Sequence, residues 1–112
     1  MAKRTLEVLM LDEAQSFILG LPKAAMKKVL YNVQRIADGE VNVDLFKKLE
    51  GSDIWEFRTL FNGLQYRLFA FWDSDIKAMV VATHGIIKKT QKTPSKEIIK
   101  AERIRAEYFR TK

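Results

Sequence analysis

The dipeptide Asn62-Gly63 lies between two aromatic-rich runs, residues 54–61 and 65–72. An Asn-Gly pair is the favoured two-residue link between antiparallel strands, because both positions accept positive φ and the turn's twist matches that of the strands. This one turn commits the middle of the chain to a β-hairpin. In its first strand Trp55, Phe57, Thr59 and Phe61 share one face, and Ile54, Glu56, Arg58 and Leu60 share the other. Asp73-Ser74-Asp75 turns the chain again, and residues 77–83 supply a third strand, which completes an antiparallel meander. Residues 46–49 read as a short lead-in strand.

Before the meander the period changes. Residues 4–11 have strand character. Asp12 then reads as an N-cap, with Glu13 in the first turn and Ala14, Phe17, Ile18 and Leu21 at helical spacing. Gly20-Leu21-Pro22 ends that helix, and Pro22 suits the first position of another. The second carries the apolar stripe Ala25, Met26, Val29, Leu30, Val33, Ile36 and Ala37, and Gly39 closes it as a left-handed cap. After the meander, residues 85–93 read as a basic loop or strand end. A last helix opens with Pro94 at its first position and runs to about Phe109. The order β-α-α-β-β-β-α gives an α+β fold for residues 1–112, read as one domain. It is a small, twisted, antiparallel-rich sheet with an N-terminal helical hairpin and a C-terminal helix. Helices on one face would leave the other open to solvent.

Charge is informative by position. The chain has a net charge of +6 over 112 residues. Residues 1–83 hold eleven Lys/Arg against eleven Asp/Glu, whereas residues 84–112 hold nine against three. The whole excess thus lies in the last quarter, which is the electrostatic footprint of a polyanion site, although a solvated charged helix accounts for it equally well. With no cysteine, thiolate metal sites, disulfides and thiol nucleophiles are excluded, and one histidine cannot build a histidine-based metal cluster. GxGxxG, the phosphate-binding P-loop and HExxH are all absent, so no cofactor or metal is expected. No apolar run is long enough to span a membrane, and the N-terminal run is too short for a signal peptide, so a cytoplasmic protein is expected.

The chemistry left is a set of cations. Arg58 and Arg67 fall on neighbouring strands of the hairpin, with Glu56 on the face of Arg58. Guanidinium matches phosphate in a bidentate manner and keeps its charge, so the pair reads as a phosphate clamp; ion pairs with Glu56 on an open sheet are the alternative. Lys88, Lys89 and Lys92 follow the third strand and would reach the same sheet edge. His84 reads either as a general acid or base or as a structural imidazole.

The segment KKLEGSDIWEFRTLFNGLQYRLFAFWD, followed by THGIIKKTQKTPSKEI and a charged terminal helix, resembles the RelE/HigB superfamily, and within it the phage-derived HigB-like branch. The resemblance implies a toxin of a type II toxin–antitoxin system, paired with a helix-turn-helix antitoxin in a hetero-oligomer. It also implies a ribosome-dependent mRNA endonuclease that cuts by 2'-hydroxyl attack without metal. In that frame Arg67 matches the recurrent sheet arginine, and Arg58 and Glu56 stand where relatives carry catalytic side chains. Lys88 and Lys89 stand where relatives supply a cation. Arg58 and Arg67 would hold the phosphorane, with Lys88, Lys89 and Lys92 on the flanking backbone. Glu56 or His84 would be the base, and His84 or a lysine with a depressed pKa the acid. Lys96, Lys100 and Arg103 would face ribosomal RNA. The C-terminal His-Tyr pair of some relatives is missing here. A non-catalytic RelE-fold binding protein, a gyrase-type poison and a phage structural or regulatory protein are the alternatives.

Overall fold

The computed structural model describes residues 5–90 and 92–112. Arg4, at the start of the first expected strand, and Gln91, in the basic segment, lie outside the described residues. The elements are β1 (Glu7–Met10), α1 (Asp12–Leu19), α2 (Lys23–Ala37), β2 (Phe46–Lys48), β3 (Trp55–Phe61), β4 (Leu64–Trp72), β5 (Met79–Lys88) and α3 (Ser95–Arg110). They form one five-stranded sheet in the order β1-β5-β4-β3-β2. The meander β3-β4-β5 is antiparallel, β2 adds antiparallel to β3, and β1 runs parallel to β5. At the β3–β4 turn Asn62 and Gly63 have φ of 51° and 75°, the double positive φ that a primed hairpin turn requires.

Helix ends differ from expectation by one position. Leu11, with no side-chain cap bond, precedes α1, and Asp12 is instead a first-turn carboxylate facing the positive end of the helix dipole. Pro22 and Pro94 likewise occupy the cap positions of α2 and α3. Gly39 does take the left-handed conformation after α2, at φ 109°.

The helices do not all lie on one face. Residues of α1 and α2, among them Ala14, Ile18, Val29, Val33 and Ile36, pack on Phe57, Leu68, Ala70, Val80 and Ala82. Helix α3 crosses the opposite face, where Ala101 and the half-buried Ile98, Tyr108 and Phe109 meet Ile54, Phe69, Phe71 and Val81. Each fully buried Phe or Val contributes about 1.5–3 kcal/mol, so both faces contribute to the fold. The face that one-sided helix packing would have left open is therefore covered by α3 where Ile54, Phe69, Phe71 and Val81 lie. Polar contacts pin α3 at both ends. At its start Glu97 meets His84; at its end Tyr108 Oη donates to Asp73 Oδ2 (2.7 Å) and the Lys112 ammonium to both Asp73 oxygens (2.8 and 2.9 Å). Burial would raise the Asp73 carboxyl, but Lys112, Tyr108 and the Asp75 amide hold it down to about 2.

Strand β5 runs five residues further than the sequence suggested, and it carries a bulge. Phe69 lies opposite His84, while Ala70 lies opposite Ala82, so Thr83 is an extra residue. The alternation of side chains changes phase there. Ala82 points into the α1–α2 core, yet His84 and Ile86 lie on the α3 face. Gly85 consequently points at α1, where a Cβ would come within 2.3 Å of Phe17 Cδ2. Gly85→Ala should therefore lose about 1–3 kcal/mol by overpacking, read from urea unfolding. A Phe17→Leu background should restore part of the loss; equal losses in both backgrounds would show that the ring is not the cause.

Candidate functional site

The register lays three rows across the α3 face of the sheet. Leu60, Gln65 and Lys88 form the first, Arg58, Arg67 and Ile86 the second, and Glu56, Phe69 and His84 the third. The third row borders α3, while the β3 and β4 members of the first two line an open depression. A cavity of about 360 Å³ there is bounded by Asp44, Arg58, Thr59, Leu60, Gln65 and Arg67.

Arg58 and Arg67 are direct cross-strand partners, a like-charge juxtaposition that is unfavourable by itself. The carboxylate of Glu56 resolves it. Its Oε2 lies 3.4 Å from Arg58 Nε and its Oε1 3.6 Å from Arg67 Nε. Thr93 Oγ1, from the segment before α3, donates to Oε1 at 2.8 Å. Arg67 and Glu56 have side chains only 1% and 3% exposed, against 18% for Arg58. Arg67 thus forms the floor of the depression and Arg58 its accessible wall, with Arg58 Nη1 also donating to the Val43 carbonyl at 3.5 Å. Burial pushes the Arg67 guanidinium down, Glu56 supports it and Arg58 opposes it. From so high a starting value the group stays charged.

Lys88 belongs to this cluster. Burial lowers its ammonium, Arg67 adds to the effect, Glu56 works against it, and Arg58 lowers it further. Its Nζ donates to the Lys92 carbonyl, which ties the basic loop back to the strand. Only the phase change at Thr83 brings Lys88 onto this face.

His84 sits elsewhere. It is 3% exposed, stacks on Phe69 at 4.9 Å, and bonds Thr83 Oγ1 through Nδ1 (2.9 Å) and Glu97 Oε1 through Nε2 (3.0 Å). Its charged neighbours are Glu97, Lys100 and Glu13 rather than the arginines. Burial lowers the imidazole, which outweighs the raising effect of Glu97. The fold therefore favours the neutral ring, whereas the unfolded chain takes up a proton below about 6.5. The contribution of His84 to stability is complete above that value and is lost as pH falls through the window beneath it. Urea midpoints at pH 7.5 and 5 should thus fall more steeply for the wild type than for His84→Gln. Equal slopes would rule this titration out.

Among the remaining cations, Lys89, Lys92, Lys96 and Arg103 are exposed, while Lys100 Nζ donates to Glu13 Oε1 at 2.7 Å and bridges α3 to α1. The structure therefore gathers Glu56, Arg58, Arg67 and Lys88, and separates His84, Lys100 and Arg103 from them. Sequence reasoning missed Thr93, which reaches Glu56 across 37 residues, and Asp44 and Gln65 at the cavity rim. No local pattern marks these three, because the sheet register and the loop before β2 assemble them.

The family profile described as phage derived protein Gp49-like (DUF891) matches residues 16–106. The chain belongs to that family. No curated protein sequence matches this Gp49-like chain. Among solved structures, the toxin–antitoxin complex RelBE2 from Mycobacterium tuberculosis contains a chain that superposes with a TM-score of 0.51 at 18% identity, over 80% of this chain and all of the other. At that identity the likeness is one of fold, so the Gp49-like chain has a RelE-like fold. Among its described residues no cluster of three His, Asp or Glu could hold a metal ion, and no helix is long and apolar enough to cross a membrane.

Proposed function

We propose that this Gp49-like chain is the toxin of a type II toxin–antitoxin pair and an endoribonuclease that cuts ribosome-bound mRNA without a metal ion. Family membership and the RelE-like fold support the toxin assignment, as does the solved complex of a chain of this fold with an antitoxin. The observation that carries the nuclease reading is the convergence of Arg58, Arg67 and Lys88 on one open face, ordered by a single buried carboxylate. Three cations held at fixed positions suit the developing charge of a pentavalent phosphorane.

In this reading the 2'-hydroxyl attacks the adjacent phosphorus. The 5'-oxygen of the next nucleotide leaves, giving a 2',3'-cyclic phosphate and a 5'-hydroxyl. Arg58 holds the equatorial oxygens from the accessible wall and Arg67 from the floor. Lys88, whose ammonium is made more acidic by burial and by the arginines, protonates the leaving oxygen. Both oxygens of Glu56 are engaged, so it orients the arginines, and the 2'-hydroxyl proton passes to solvent. His84, locked between Thr83 and Glu97, holds α3 rather than moving protons. Lys89, Lys92, Lys96 and Arg103 contact the RNA backbone and the ribosome, and a helix-turn-helix antitoxin neutralises the toxin in a hetero-oligomer. A second reading, a non-catalytic RelE-fold binding protein, is favoured by the burial of both Glu56 and His84, which leaves no exposed carboxylate or imidazole in the second and third rows.

Purified ribosomes carrying a defined message separate the two. A nuclease should yield fragments ending in a 2',3'-cyclic phosphate, continue after chelation to the extent that the ribosomes stay assembled, and leave a message with 2'-deoxy at the cut site intact. An intact message with undiminished translation arrest supports the binding protein, and cleavage of the deoxy message overturns the mechanism.

A further inference from the structure

The cavity beside the arginines holds more than a phosphate clamp needs. Gln65 is 9% exposed and lines it, and its side-chain amide has no hydrogen-bond partner among the described residues. The amide is accessible rather than sealed in, so a ligand in the cavity can bond it. Asp44 also lines the cavity, and its exposed carboxylate bonds no described side chain. Its position is fixed by the backbone. Asn42 Oδ1 accepts the Asp44 amide at 2.9 Å, Asn42 Nδ2 donates to Glu40 at 3.1 Å, and Arg35 grips Glu40 through two bonds of 2.7 and 2.8 Å. Leu60, 61% exposed and directly opposite Gln65 in the register, adds a flat apolar surface. Strand β2 begins at Phe46, opposite Phe57; the segment before it runs on beside β3 as far as Arg58, whose amide donates to the Leu45 carbonyl at 2.8 Å, and no described strand pairs with Leu60 on that side.

We propose that this cavity is a nucleobase subsite and that it is built for guanine. The proposal rests on the RNA reading above and names the base that the site selects. Gln65 lies two residues from Arg67 on the same face, a separation of about 7 Å along a strand, which suits a base whose own phosphate lies on the arginines. The polar groups set the choice. A carboxylate offers only acceptors, and guanine alone presents two adjacent donors, N1–H and the 2-amino group, on its Watson–Crick edge. Beside them its O6 can accept from Gln65 Nε2. Adenine and cytosine each present one amino donor next to a ring acceptor, which the Asp44 oxygens would face unfavourably, and uracil presents a single imino donor between two carbonyls. A site built to pair polar groups rejects ligands that leave them unpaired more strongly than an apolar site can.

The test has two arms. In the first, the four nucleoside 3'-monophosphates are titrated into the full-length protein and followed by backbone amide shifts. Guanosine 3'-monophosphate should bind at least fivefold more tightly than the other three and should move Asp44, Gln65 and Leu60. Asp44→Asn and Gln65→Ala should each bring the four affinities to within twofold while binding remains phosphate-dependent. In the second arm, ribosome-bound messages differing only in the nucleotide 5' of the cut are compared, and the same substitutions should lower the guanine-to-adenine ratio of cleavage rates by fivefold or more. Four equal affinities in the wild type, or a ratio unchanged in both variants, overturn the subsite even if cleavage is robust. Guanosine selectivity lost in both variants, in a protein that cuts no message, upholds the subsite and overturns the nuclease reading instead.

Discussion

Arg58→Ala is expected to slow single-turnover cleavage of ribosome-bound message by about two to three orders of magnitude, with folding nearly unchanged. Loss of one preorganised donor to a developing oxyanion costs about 2.7–4 kcal/mol where it has been measured in other enzymes. Arg58 is the arginine to which that figure applies, because its side chain is 18% exposed and forms the cavity wall. Arg58→Lys should recover only part of the rate, since a point charge replaces a planar fork. Induced toxicity should track the rate. A loss smaller than threefold would mean that the reacting phosphate lies elsewhere.

Glu56→Ala should cost about 3–5 kcal/mol of stability, the range for removing one partner of a buried ion pair. The alanine would leave Arg67, 1% exposed, facing Arg58 without the carboxylate between them. Glu56→Gln should cost less, because an amide oxygen can still accept from Thr93. Arg67→Met placed in the Glu56→Ala chain should restore part of the loss by removing a buried charge that has lost the Glu56 carboxylate. Denaturant unfolding reads all three, and a double variant no better than Glu56→Ala would show that Arg67 is held by contacts independent of this carboxylate.

Much of this arrangement is legible in the order of residues because it is local. The hairpin is dictated by Asn62-Gly63, and strand alternation then puts Glu56 and Arg58 on one side without further information. The opposition of Arg58 and Arg67 follows from counting outward from that turn. The α2 stripe and the Gly39 cap are equally local. What could not be read depends on groups distant in sequence. Nothing in residues 95–110 says which sheet face their apolar side will choose, and the choice of the second face made one-sided packing the wrong expectation. His84 looks available for proton transfer when written beside Lys88 and Lys89. It is enclosed because Glu97, thirteen residues later, folds back onto it. Gln65 and Asp44 are unremarkable polar residues until the register and the ordered loop place them across one cavity.

The extra residue at Thr83 has a consequence for comparing this chain with others. In a regular strand, a position's parity tells which side of the sheet it serves, and aligned sequences keep that information column by column. Here parity inverts once, between Ala82 and His84. A relative of equal length without the bulge would pair Gly85 with Arg67 and Ile87 with Gln65, in place of Ile86 and Lys88, with no change in composition. A relative that has lost the extra residue itself keeps Ile86 and Lys88 in place, so a gap of one at residue 83 marks a missing bulge and not a change of face. Residue roles on β5 are transferable between chains only after the bulge itself has been matched.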